Sequence, residues 1–122
     1  MISSDFLLED DLYEMSNFNW RTTGLSSNIE VWCRTDPNDH GHSIYRLKIR
    51  KDREWAAIFT VGSEPLMVKD INNTISASEV SDITSWIMLY SSLLIGLIDS
   101  KIDTAEFAYE LQKERNSDQK SN

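Results

Sequence analysis

The chain has 122 residues, 40% hydrophobic and 10% aromatic, with a formal net charge of −8. A chain of this size is one domain that buries roughly two thirds of its unfolded surface, and the composition excludes disorder over most of its length. The acidity argues against general affinity for nucleic acid or anionic membrane, and no apolar run approaches the ~20 residues of a membrane span.

The one cysteine, Cys33, has no internal partner, which points to the reducing cytoplasm. No basic segment followed by an apolar stretch opens the chain. Charge is unevenly spread. Residues 1–20 carry Asp5, Glu9, Asp10, Asp11 and Glu14 with no Lys or Arg, residues 21–77 have eight basic and seven acidic side chains, and residues 78–122 have four basic and eight acidic.

Residues 1–16 form an acidic arm or a short helix. Ser3 or Ser4 could cap such a helix, and Leu8, Leu12 and Met15 fall at helical spacing. The next stretch, FNWRTTGLSSN, is expected to be irregular, with Gly24 supplying a turn.

Three strands are predicted after it. In NIEVWCR, Ile29, Val31 and Cys33 alternate with Glu30, Trp32 and Arg34, and in SIYRLKIRK, Tyr45, Leu47 and Ile49 alternate with Arg46, Lys48 and Arg50. EWAAIFTV puts Trp55, Ala57, Phe59 and Val61 on one face, while Ala56 and Ile58 suggest cover on the other as well. PLMVK, after Gly62, adds a short edge strand.

Between the first two strands lie Asp36, Asp39, His40 and His42, with both histidines of the chain among them. A calcium loop needs an oxygen ligand at its fifth position and Glu at its twelfth, but His40 and Leu47 stand there. A zinc site needs three or four converging ligands. Asp-Pro, Asn-Asp and His-Gly are turn formers, so the cluster reads as a hairpin loop with no metal.

Residues 77–98 are predicted to form one long helix. Ser76 and Glu79 make a capping box, and Val80, Ile83, Ile87, Tyr90, Leu94 and Leu97 recur at helical spacing. Trp86 and Leu93 widen this stripe, which is most simply core; the Trp86/Leu89/Leu93 edge could instead pack on a second copy as a homodimer. A second helix starts at Asp103 or Thr104 and turns Phe107 and Leu111 to one side, and residues 116–122 make a frayed polar tail. The sum is an α+β fold over residues 17–115: a small antiparallel meander of three to four strands covered by a C-terminal helical hairpin.

NWRTTGL at 19–25, IEVW, the His-Gly ahead of a basic strand, FTV and IDTAEF at 102–107 together resemble a family of short uncharacterised bacterial and phage-type proteins. The resemblance covers about residues 17–111. It implies the fold class and a mobile-element origin, and it carries over no catalytic residue.

No Gly-rich phosphate loop, G-x-S-x-G or H-E-x-x-H occurs, so catalysis and cofactors are not expected. The feature with most physical content is a candidate partner-binding face of Trp32, Arg34, Arg46, Lys48 and Arg50 on adjacent strands. Such a face can anchor a protein hot spot or stack a nucleic-acid base. The acidic arm is a second candidate element, able either to cover that face or to steer the chain to a basic target. The favoured function is a non-enzymatic cytoplasmic interaction protein, an inhibitor or immunity-type factor of a mobile element. The alternatives are a nucleic-acid-binding module on the same face and a metal-dependent hydrolase on Asp36, Asp39, His40 and His42.

Overall fold

The structure is a computed structural model that describes residues 15–34 and 45–120. Residues 1–14, expected as an acidic arm, and the stretch with Asp36, Asp39, His40 and His42, expected as a hairpin loop, lie outside the described residues. In chain order the elements are β1 (Met15–Phe18), α1 (Trp20–Thr23), β2 (Ile29–Arg34), β3 (Tyr45–Lys51), β4 (Glu54–Val61), β5 (Met67–Asp70), α2 (Ala77–Leu89), α3 (Ser91–Ile98) and α4 (Thr104–Lys120). The five strands form one antiparallel meander in sequence order, with the helices packed on one face.

The predicted alternation sets that face. Ile29, Val31 and Cys33 on β2, Leu47 and Ile49 on β3, and Ala57, Phe59 and Val61 on β4 all point into the core. Ile83, Ile87, Leu94, Leu97, Phe107 and Leu111 close over them from the helices. Burial of this apolar surface is the main force holding the sheet to the helices.

β3 and β4 join through Asp52 and Arg53, both at positive φ (51° and 68°). A two-residue loop with this geometry matches the right-handed twist of the paired strands.

Three expectations are corrected. Among the described residues there are five strands, because Met15–Phe18, expected to straddle the arm and an irregular stretch, pairs with β2 at the sheet edge. Only Ser16 and Phe18 turn inward there, too little apolar pattern to announce a strand, and contacts from far along the chain secure them. The Ser16 hydroxyl lies 2.6 Å from that of Thr104, and the Phe18 and Phe107 rings are 4.6 Å apart. The segment after it is a helical turn, with Asn19 Oδ1 accepting from the Arg21 amide and Gly24 in the left-handed conformation (φ 81°) at its end. Arg115 on α4 donates to the exposed carbonyls of Thr22 (2.7 Å) and Arg21 (3.2 Å).

The long helix is two helices, α2 and α3, bent by 76° at Tyr90. The Ser91 hydroxyl lies 2.7 Å from the Ile87 carbonyl, which the Ser91 amide would use in a straight helix, and 2.8 Å from the Gly62 carbonyl. Side-chain competition of this kind in a Ser-Ser pair bends helices.

Trp86, expected to widen the core stripe, is buried and donates from Nε1 to the Thr23 carbonyl at 2.8 Å, so it belongs to the core and not to an open edge. Both predicted caps are present. Ser76 and Glu79 exchange hydrogen bonds of 3.1 and 2.8 Å, and Asp103 accepts from the Glu106 amide at 2.7 Å. α4 continues to Lys120, into the polar stretch that begins at Asn116.

Candidate binding face

The sheet face opposite the helices is built by cross-strand pairing. Trp32 on β2 sits opposite Lys48 on β3, and Glu30 opposite Arg50. Lys48 faces Ile58 on β4, Arg46 faces Thr60, and Ile58 faces Lys69 on β5. Directly opposed side chains on one face of an antiparallel pair are close enough to interact, so the alternation brings Trp32, Arg46, Lys48 and Arg50 together as expected. The Arg34 backbone belongs to the same strand, but its side chain lies outside the described residues.

Trp55 was expected on the core face with Ala57, Phe59 and Val61. The structure puts it on the outer face. Ile49 pairs with Ala57 but Arg50 pairs with Trp55, so Ala56 is an extra residue in β4. A one-residue bulge reverses the side-chain parity on one side of it. The hint in the sequence is the Ala56-Ala57 pair, two small residues side by side that both fit under the sheet (1% and 0% exposed).

The bulge completes a cation–aromatic cluster. The Trp32 and Trp55 rings meet edge-on, 5.4 Å apart with an interplanar angle of 71°. Arg50 Cζ lies 5.9 Å from the Trp32 ring and 5.8 Å from Trp55, and Lys48 Nζ lies 5.4 Å from Trp55. Each such contact contributes about 0.5 to 2 kcal/mol, rising as the site loses water. Arg50 Nε also stands 3.8 Å from Glu30 Oε1, close enough for charge attraction but too long for a hydrogen bond.

Exposure differs sharply within the cluster. Lys48 is 4% exposed, Trp32, Arg50 and Trp55 are half-buried, and Arg46 and Lys69 are open to solvent. Trp32 Nε1 and Glu30 Oε1 are buried without a hydrogen-bond partner. An indole N–H held in that way is a donor facing no acceptor.

Among the described residues away from this face, little reactive chemistry gathers. Burial pushes the Cys33 thiol up to about 12, which leaves it protonated and inert. Tyr45 donates to Asp99 Oδ2 at 2.9 Å, and that hydrogen bond to a carboxylate raises the phenol's pKa. Among the described residues, no group of three or more His, Cys, Asp or Glu side chains could hold a metal ion. The carboxylates Asp5, Glu9, Asp10, Asp11 and Glu14 of the arm lie outside the described residues. Among the described residues no single helix is long and apolar enough to cross a membrane. α2 and α3 meet that test by length and composition only as a bent pair, and both bury apolar side chains in the core.

Compared with known proteins, the chain matches no family model, no curated protein and no solved structure.

Proposed function

We propose that the chain is a non-enzymatic protein-interaction module that binds a protein target through the outer sheet face. We place it in the cytoplasm, as an inhibitor or immunity-type factor of a mobile element. The observation that carries the reading is the Trp32–Trp55 pair with Arg50 and Lys48 held against the rings. Tryptophan and arginine in a partly desolvated patch are the side chains that dominate protein interfaces. Their stiff rings lose little freedom on binding, and the cations that flank them are already drawn onto aromatic surface and Glu30. Charge complementarity between target and face guides the approach, and the tryptophan pair anchors the complex. The mobile-element assignment rests on the resemblance of residues 17–111 to short phage-type proteins.

One observation favours a second reading on the same face. Arg46 is exposed on the same sheet face as the two indoles, and cations with aromatic rings on one surface are what single-strand nucleic-acid binders use. Lys48, by contrast, is too buried to meet a phosphate.

Titrating a labelled single-stranded oligonucleotide at several salt concentrations separates the two. The protein reading predicts a Kd weaker than about 1 μM at physiological salt. Submicromolar binding with log K falling against log salt at a slope of about −2 to −3, lost in Arg46→Ala, would give the face to nucleic acid.

A further inference from the structure

The outer face has an excess of cations over carboxylates and a buried indole donor with no acceptor. The chain carries a segment of the opposite character. Residues 5–14, DFLLEDDLYE, hold five carboxylates and no Lys or Arg, together with Phe6, Leu7, Leu8 and Leu12. They lie outside the described residues, but the chain leaves them directly into β1, whose Met15 pairs with Arg34 on β2. β3, with Lys48 and Arg50, is the next strand beyond β2. Strands stand about 4.8 Å apart, so the centre of the face is roughly 10 Å from β1, while ten residues span up to about 33 Å. The reach is ample.

We propose that residues 5–14 bind the Trp32/Trp55 face of their own chain in the free protein, and that a partner displaces them. This rests on the reading of that face as a binding surface. The carboxylates bring acceptors toward Arg46, Arg50 and the Trp32 N–H, and the leucines cover the indoles and Ile58. Exposed ion pairs contribute little singly, so apolar contact carries the docking while charge sets its orientation. Salt loosens the segment only in part.

The test uses the full chain. Cys33 is buried and inert, so Ser4→Cys takes a nitroxide spin label at one place. The indole N–H signals of the tryptophans are then read by nuclear magnetic resonance. The expected result is loss of the Trp32 and Trp55 signals, while Trp86, on the core side and bonded to Thr23, keeps its intensity. Both lost signals return when Leu8→Ser and Leu12→Ser are added. Equal attenuation at Trp32, Trp55 and Trp86, or none, overturns the proposal. Capture of a partner is scored in parallel with unlabelled protein, where Leu8→Ser/Leu12→Ser should capture several-fold more. If capture depends on Trp55 but the label reports no contact, the docking fails and the protein-binding reading stands. If the label reports contact but nothing is captured, the docking holds and that reading fails.

Discussion

Trp86 shows how one polar atom joins distant parts of this chain. Its ring lies in the core, and its N–H reaches the Thr23 carbonyl at the end of α1, 63 positions away. Trp86→Phe keeps most of the ring but strands that carbonyl, so we expect a loss of about 1 to 3 kcal/mol, read from urea unfolding midpoints. Glu79 makes a second such junction. Burial alone would raise its pKa, but the hydrogen bond from Lys51 Nζ (2.8 Å), those from the Ser76 amide and hydroxyl side, and the Lys51 charge together outweigh it and hold the carboxyl below 4.5. Because the folded pKa is depressed, the stabilisation is complete above the unfolded pKa and is lost as pH falls through the folded value. Glu79→Gln is therefore expected to cost about 1 to 2 kcal/mol at pH 7. Its stability curve should converge on that of the parent as pH falls below the depressed folded value, in acid titrations followed by circular dichroism.

At the scale of elements, the Ser91 hydroxyl has a single proton and two carbonyls within reach, Ile87 and Gly62. It both turns the chain from α2 into α3 and ties that turn to the end of β4. Ser91→Ala is expected to cost about 0.5 to 1.5 kcal/mol and to speed amide exchange around Gly62. Ser92→Ala, at an exposed neighbour, should change neither. The bend explains why part of this region was legible from the chain and part was not. The stripe from Ile83 to Leu97 and the Ser76–Glu79 box report local burial and capping, and both are present. The interruption at Tyr90 depends on the Gly62 carbonyl, 29 positions from Ser91, which no local period encodes. β2 and β3 were readable for the same reason that the stripe was, since strict alternation fixes which side chains share a face. β4 departs at one residue. The Ala56 bulge moved Trp55 from the core to the candidate site, so the face expected from Trp32, Arg46, Lys48 and Arg50 lacked its second indole. β1 was hidden because Ser16 and Phe18 are secured by Thr104 and Phe107 on α4.

Taken as a whole molecule, the chain separates two surfaces across one sheet. The helical side is a conventional apolar core, while the other side gathers two tryptophans and most of the cations of β3. A sheet face needs no such cluster for stability, because alternating polar side chains would solvate it equally well. The central claim is that this face recognises another protein. Capture of a partner from an extract of the native host, treated with nuclease, tests it most directly. Wild-type protein is compared with Trp55→Ala and Arg46→Glu on the face, and with Tyr109→Ala on the exposed side of α4, each variant first shown to be folded. The account predicts one partner retained by wild type and Tyr109→Ala, and lost at least tenfold in both face variants. A partner held equally by Trp55→Ala and Arg46→Glu, or lost only in Tyr109→Ala, would contradict it.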